Sequence, residues 1–271
     1  MKGLKLSILA LSVAGVPAAA LAEIRSLDEN AMGNITGQAG VTIELETRLN
    51  IDRFIYTDEG SLEINDIFVG GGNRTDYFSE LGTNITSQPA SDKLDNIRIN
   101  IDIASDGDAI INILPMSFGA VDFTIATGAW NLVGQGGETT TVMDNFRMDA
   151  LIGSGTIRID TATDRLNLLT DFAIDDLDFD VPFLALGIRD LELTGADYDL
   201  SAPQPLRLFA SVDMDIFKDT NAAGGEALAV EMDNFTADMR IGGVLIGGTS
   251  IGSVALDNLA ITNTAMRIYG H

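Results

Sequence analysis

Apolar and polar residues alternate through most of this chain, and the alternation slips in the same way seven times. At Asn65-Asp66, Asp95-Asn96, Asp144-Asn145, Asp175-Asp176, Arg189-Asp190, Asp233-Asn234 and Asp257-Asn258, two polar residues stand side by side between apolar flanks. Leu94-Asp95-Asn96-Ile97-Arg98-Ile99-Asn100-Ile101 shows the pattern. Alternation at period two sends successive side chains to opposite faces of a strand. A polar pair shifts the following apolar residues to the other face unless one extra residue bulges out. The doublets therefore predict bulges or bends in the strands of a long sheet, their carboxylates and amides bonding the displaced backbone. Ordinary strand-entry turns are the other reading. Spacings of 14 to 49 residues between successive copies do not suit a solenoid with a fixed coil length.

The rest of the chain is also written mostly as strands. Residues 41 to 51 alternate, with Val41, Ile43 and Leu45 against Thr42, Glu44 and Glu46. Ile97, Ile99, Ile101 and Ile103 alternate with Arg98, Asn100 and Asp102 up to Ser105-Asp106-Gly107-Asp108, and Ile110 to Leu114 lead away, which predicts a tight hairpin at Asp-Gly. A second hairpin is expected to rise through Thr156–Asp160, turn at Thr161–Asp164 and return through Leu166-Asn167-Leu168. The segment Gly70–Ser91 lacks periodicity and reads as an ordered excursion or exposed loop. Ser26–Met32 carries a capping Ser and early acids, so one short helix is expected there, followed by a glycine-containing lead-in to residue 40. The expected fold is all-β, a long curved or wrapped, mostly antiparallel sheet with hairpins and one short N-terminal helix. Narrow β-solenoid coils between Ile241 and Tyr269 are the competing arrangement for the C-terminal end.

Residues 1–22 place Lys2 and Lys5 before an apolar run and end Ala20-Leu21-Ala22, the form of a secretory signal peptide cleaved before Glu23. The run is shorter than the roughly 20 residues a spanning helix needs. Residues 23–271 then read as a single β-rich domain, because no Pro/Ser/Gly-rich linker divides them and 46% apolar content can supply one large core. Export to the periplasm, outer membrane or cell surface is the expectation. Cleavage would leave 14 basic against 40 acidic residues, a sign opposite to that needed for phosphate-backbone binding, so no nucleic-acid partner is expected. Such repulsion should cost stability at low ionic strength.

The absence of Cys excludes disulfides, thiolate metal sites and a lipid anchored through an N-terminal Cys. His271 is the only histidine, so histidine-based triads, general bases and zinc sites lose their main candidate. No enzymatic site and no cofactor is expected. Hard oxygen ligands are plentiful: Asp102, Asp106 and Asp108 gather at one hairpin end and are the candidate Ca²⁺ ligands, while Asp175, Asp176, Asp178 and Asp180 follow one strand. A solvated acidic face explains the same residues. An outer-membrane barrel would also alternate, but one Trp, Trp130, and four Tyr are few for interface girdles.

The run from Leu27-Asp28-Glu29-Asn30-Ala31-Met32 through Gly37-Gln38-Ala39-Gly40 to Glu44 resembles a segment found just after the signal peptide in FilA-like pilus-system proteins of Gram-negative bacteria. The closing Gly252-Ser253-Val254, Asp257-Asn258-Leu259 and Ile268-Tyr269-Gly270-His271 are similar too. The resemblance implies a structural or assembly component of the cell envelope, associated with a pilus-like filament and partnered by envelope or filament proteins. It offers no catalytic residues. Alternating Ile, Leu and Phe on a curved sheet carry a different expectation, a periplasmic carrier of a lipid or other hydrophobe. An outer-membrane β-barrel ranks third.

Overall fold

The computed structural model describes residues 40–270; the signal-peptide segment, the helix expected at Ser26–Met32 and His271 lie outside them. Thirteen strands form one antiparallel sheet: β1 (Val41–Thr47), β2 (Leu49–Thr57), β3 (Ser61–Gly70), β4 (Leu94–Ile103), β5 (Ala109–Pro115), β6 (Val121–Thr127), β7 (Trp130–Val133), β8 (Thr139–Asp160), β9 (Arg165–Val181), β10 (Leu186–Thr194), β11 (Ala210–Thr220), β12 (Glu226–Ile246) and β13 (Thr249–Ile268). The all-β antiparallel expectation holds.

The pairings resolve these strands into eight rows that follow one another up and down. β1 and β2 lie end to end as the first row and pair with β4 and β3, which share the second. β5, β6 and β7 make the third row, and all three pair with the 22-residue β8, the fourth. β9 follows, then β10 and β11 end to end, then β12 and finally β13. Among the described residues no pairing joins β13 back to β1 or β2, so the sheet is open with two edges. At about 3.3 Å per residue and 4.8 Å between strands, the rows run roughly 70 Å and the sheet spans about 35 Å between edges.

Both expected hairpins form. Ala104 N–H donates to the Asp108 carbonyl (2.8 Å) and Gly107 N–H to Ala104 (3.0 Å), closing a three-residue turn with Gly107 at φ 97°. The same pair of bonds recurs at Gly134–Glu138 and Asn221–Gly225, where Gly137 and Gly224 hold the left-handed position. This is the type I turn with a glycine bulge that suits three-residue hairpins. The C-terminal end corrects the solenoid alternative. Gly247 and Gly248, both at positive φ (59° and 79°), make a two-residue turn that folds β13 back antiparallel along β12, whereas solenoid coils would stack in parallel.

The doublets are where the strands carry their irregularity. Their second residues Asp66, Asn96, Asn145, Asp190 and Asn258 all adopt left-handed φ between 51° and 59°, a conformation that Asn and Asp tolerate better than other non-glycine residues. Asp95-Asn96 lies opposite Glu46 alone, and Asp257-Asn258 opposite Asp238 alone. In the two doublets without positive φ, Asp175 and Asp233 are the extra residues at register shifts. Displaced backbone N–H groups find carboxylates: Asn258 donates to Asp238 (2.7 Å), Asp190 to Asp178 (2.8 Å) and Asn145 to Asp144 (2.8 Å). Two backbone donors that the ladder cannot use are thereby satisfied from a neighbouring strand and a third within its own doublet.

Three rows leave the sheet midway, at residues 71–93, 116–120 and 195–209. These excursions converge over one face on Leu151 of β8 and Ala173 of β9, where Tyr77, Phe78, Ala120, Tyr198 and Leu208 form the buried core. Gly72 lies so close to the Tyr77 hydroxyl that a Cβ there would collide with it. Phe78, itself at φ 48°, donates its N–H to Asp175 (2.6 Å) and so pins the first excursion to a doublet.

Candidate functional site

Cross-strand partners share a face, so the register shows what each face carries. One stripe crosses seven rows as Val41–Ile101–Ile111–Ile157–Leu168–Met214–Met232. Beside it runs Ile103–Ala109–Ile159–Leu166–Ile216–Val230–Met266. Farther along the strands, Phe123–Ala150–Ile174–Leu193–Met239–Leu256 is a third. β9 joins the stripes, because Leu166, Leu168, Phe172 and Ile174 keep strict alternation. They therefore lie on one face.

The doublets keep it so. Each one separates apolar residues three apart: Ile64 and Ile67, Leu94 and Ile97, Met143 and Phe146, Ile174 and Leu177, Ile188 and Leu191, Met232 and Phe235, Leu256 and Leu259. Residues three apart in a regular strand face opposite ways; where the register shifts, at Asp95-Asn96, Asp144-Asn145, Asp175-Asp176, Asp233-Asn234 and Asp257-Asn258, the bulge returns them to the same side. On β12, for example, Met232 pairs with Met214 and Phe235 with Val212, two positions of one face on β11.

The apolar face is only partly self-covered. Phe172 and Phe235 stack with centroids 6.3 Å apart and, with Ile174, pack against buried Leu193, Ala210 and Ala237. Toward the far end of the stripes and the two edges the side chains open to solvent, Ile103 at 67% and Met266 at 51%. The contacting secondary-structure elements are sheet neighbours and the short turn Pro182–Leu184, so no second layer of strands or helices lies across this face among the described residues.

The opposite face is polar in the same half of the sheet. Thr42 donates to Asn100 and Thr156 to Asn112, each at 3.0 Å. Asn167 bonds Asp213 and Asp215, and Arg165 bridges Asp215 (2.9 Å) and Glu231 (3.2 Å). In the other half, the excursions enclose a cleft of about 670 Å³ lined by Ile85, Pro115, Phe118, Pro205, Leu206 and Phe209, with no charged residue in its wall. Phe118 and Leu206 stand almost wholly in solvent at 96% and 98%.

The expected Ca²⁺ trio does not assemble. Asp108 is buried and already satisfied, accepting from the Arg158 guanidinium (2.5 and 3.0 Å) and from Thr161 N–H and hydroxyl (2.9 and 3.1 Å). The Thr161 N–H foremost, then Arg158, hold its carboxyl below the usual range. Asp106 accepts from Asp108 N–H as part of the turn (3.1 Å), and Asp102 lies exposed on β4. These acids build a hairpin end instead of a ligand set.

The acids that do converge sit beneath two doublets. Oxygens of Asp176, Asp178 and Asp190 all lie within 4.8 Å of one another, the only such grouping among the described residues. Asp176 and Asp178 belong to the acidic run visible on β9; Asp190 arrives from β10, which only strand pairing reveals. Burial, reinforced by Asp178 and Asp190, pushes Asp176 up to about 6. One of its oxygens is buried without a hydrogen-bond partner. Close by, Arg74 bonds Asp76 (2.7 Å) and Asp175 (2.8 Å), approaches Asp149 (3.6 Å) and lies over the Tyr77 ring (4.7 Å). The three clustered carboxylates could share a proton or a hard divalent cation.

These features define an acidic protein made of one open sheet, apolar on one face and polar or loop-covered on the other. A profile described as a family of unknown function (DUF6160) matches residues 1–105, a stretch that runs through β4. No curated protein and no solved structure matches the chain.

Proposed function

We propose that this protein is an exported, non-enzymatic carrier that holds a lipid or similar hydrophobe along its apolar sheet face. The single observation that carries this reading is the continuity of that face across seven rows, preserved through five of the doublets by a bulge. Its open part measures roughly 30 Å across the strands and 20 Å along them at standard strand spacings, at or beyond the largest apolar patch an ordinary monomer exposes. Ile, Leu, Val and Met, broken by few polar residues such as Thr170 and Thr264, suit acyl chains, which need no directional partner. The acids are largely committed to turns, bulges and arginines, which supports a role in solubility and shape over catalysis. Export rests on the signal-peptide reading of residues 1–22.

The test is organic extraction of the protein purified from producing cells, followed by mass spectrometry, with titration of a fluorescent fatty acid as a second readout. A co-purifying lipid is expected, together with saturable probe binding weakened by Ile103→Glu, whose site is exposed enough to tolerate the charge. No extracted lipid and no saturable probe binding would overturn the carrier reading.

A second reading, an assembly component of the cell envelope, is favoured by a different observation: among the described residues both outer rows of the sheet lack a partner. The pilus-system resemblance of the segment after residue 26 supports the same direction.

A further inference from the structure

We infer that a second copy of this chain docks edge to edge, the β1–β2 row of one molecule adding to β13 of another and extending the sheet head to tail. This names the partner in the assembly reading and rests on that reading, while the ligand reading stands apart from it.

Strand direction makes the two edges compatible. Eight alternating rows leave the first and the last running in opposite directions, so a copy displaced within the plane of the sheet meets β13 antiparallel, the pairing used throughout the molecule. The same displacement keeps the faces aligned. Val41, Ile43 and Leu45 on one edge and Val254, Leu256 and Met266 on the other belong to the apolar face, so the joined molecules share one uninterrupted apolar surface. The lengths also fit, residues 41–57 against 249–268.

β13 carries few of the charges and none of the prolines that protect many edges, although it is bulged. In a chain with 21% charged residues, its 20 residues include only Asp257 and Arg267 as charges, with no Lys and no Pro. Its backbone takes positive φ at Gly252, Asn258 and Asn263, with register shifts near the first two, whereas residues 41–57 contain no positive φ. Within the sheet, the bulged pairs Asp95-Asn96 and Asp257-Asn258 each sit opposite a single residue of a strand that is regular there. A regular β1–β2 edge suits bulged β13 in the same way. The bulges divide the contact into short ladders, so the association is concentration-dependent and reversible.

The Cys-free chain makes the test direct. Thr42→Cys protein labelled with a donor fluorophore is mixed with Thr262→Cys protein labelled with an acceptor, while sedimentation velocity follows the unlabelled protein over a wide concentration range. Energy transfer between the two preparations, with growth past the dimer, is expected. Ala260→Lys/Thr262→Lys, which places charges on the polar side of β13 and leaves Leu259 and Ile261 in place, should weaken association about tenfold or more. Its content of extracted lipid should not change, so failure of the edge contact is read separately from failure of the carrier function. Three results would overturn the inference. These are a monomer at every concentration, transfer only between two Thr262-labelled preparations (symmetric β13 pairing), or transfer within isolated monomers labelled at both sites that reports a separation far below the roughly 35 Å between the edges of an open sheet (closure of the sheet on itself).

Discussion

Asp176 is ionised at a cost that the surrounding fold imposes. It lies partly buried on β9, with Asp178 and Asp190 within reach and one oxygen unpartnered, and its carboxyl titrates at about 6 instead of 3.8. A folded state that holds this proton more tightly than the unfolded chain loses stability as pH rises from about 4 through about 6, and the loss is complete above that. Its neighbour Asp175 is also pushed up by burial, although Phe78 N–H and Arg74 pull against the shift. Replacing Asp176 with Asn removes the charge at nearly constant shape. Because the side chain retains solvent access, the gain near neutral pH should be only about 1 kcal/mol, a few degrees in melting temperature. The advantage of D176N should shrink as pH falls from about 6 toward 3.8, and vanish only below both values, where the Asp is protonated in folded and unfolded chain alike. Melting curves of the two proteins across pH check this, and a pH-independent difference would mean that packing, and not charge, sets the effect.

At the scale of strands, the doublet is a device for keeping long strands one-sided. β8, β12 and β13 each exceed 19 residues, and ordinary twist would carry so long a stripe off its face unless the strand were reset. Asn258 provides a clean case, since it is exposed, sits at φ 53° and bonds Asp238 only through its backbone N–H. Asn258→Gly should be nearly neutral, Asn258→Ala should cost about 1 to 2 kcal/mol of left-handed strain, and deletion of Asn258 should cost more, because it drives Val254 and Leu256 off the face that they share with Met239 and Ile241. Chemical denaturation ranks the three; an Ala variant as stable as the Gly variant would contradict the strain argument. This device was legible in the sequence because a doublet between apolar residues is a local pattern. The two hairpins were legible for the same reason. Residues 70–91 were legible as an excursion but not as core, since Tyr77 and Phe78 sit in an aperiodic stretch and reveal themselves only when two other excursions, also without pattern, meet them over Leu151. Asp190 escaped likewise: its carboxylate joins the acidic cluster through pairing between β9 and β10, and nothing in its local sequence marks that neighbourhood. The C-terminal third left solenoid coils as a competitor to the antiparallel sheet, because alternation is common to both and the tight turn at Gly247 and Gly248, with the antiparallel pairing it makes, decides between them.

Across the molecule, charge and apolar surface are segregated, and this makes ionic strength a control on both stability and association. Formal charge is −24, yet among the described residues the basic side chains other than Arg98 are paired with acids, Arg74 and Arg165 with more than one each. The remaining carboxylates repel one another across the polar face and the turns, with few cations left to neutralise them. Screening shortens the range of that repulsion from about 30 Å at 0.01 M to about 10 Å at 0.1 M salt, distances comparable with the width of the sheet. The melting temperature should therefore rise by several degrees over that interval and then flatten, equally with NaCl and KCl, because the effect is screening and not site binding. Edge-to-edge association should follow the same curve more steeply, since each copy brings its whole negative charge toward another while the apolar contact itself changes little. Parallel melting and sedimentation measurements in the two salts check both halves of the expectation. A melting temperature independent of salt would place the excess acids too far apart to interact, and would remove electrostatics as the force that keeps these open sheets separate at low ionic strength.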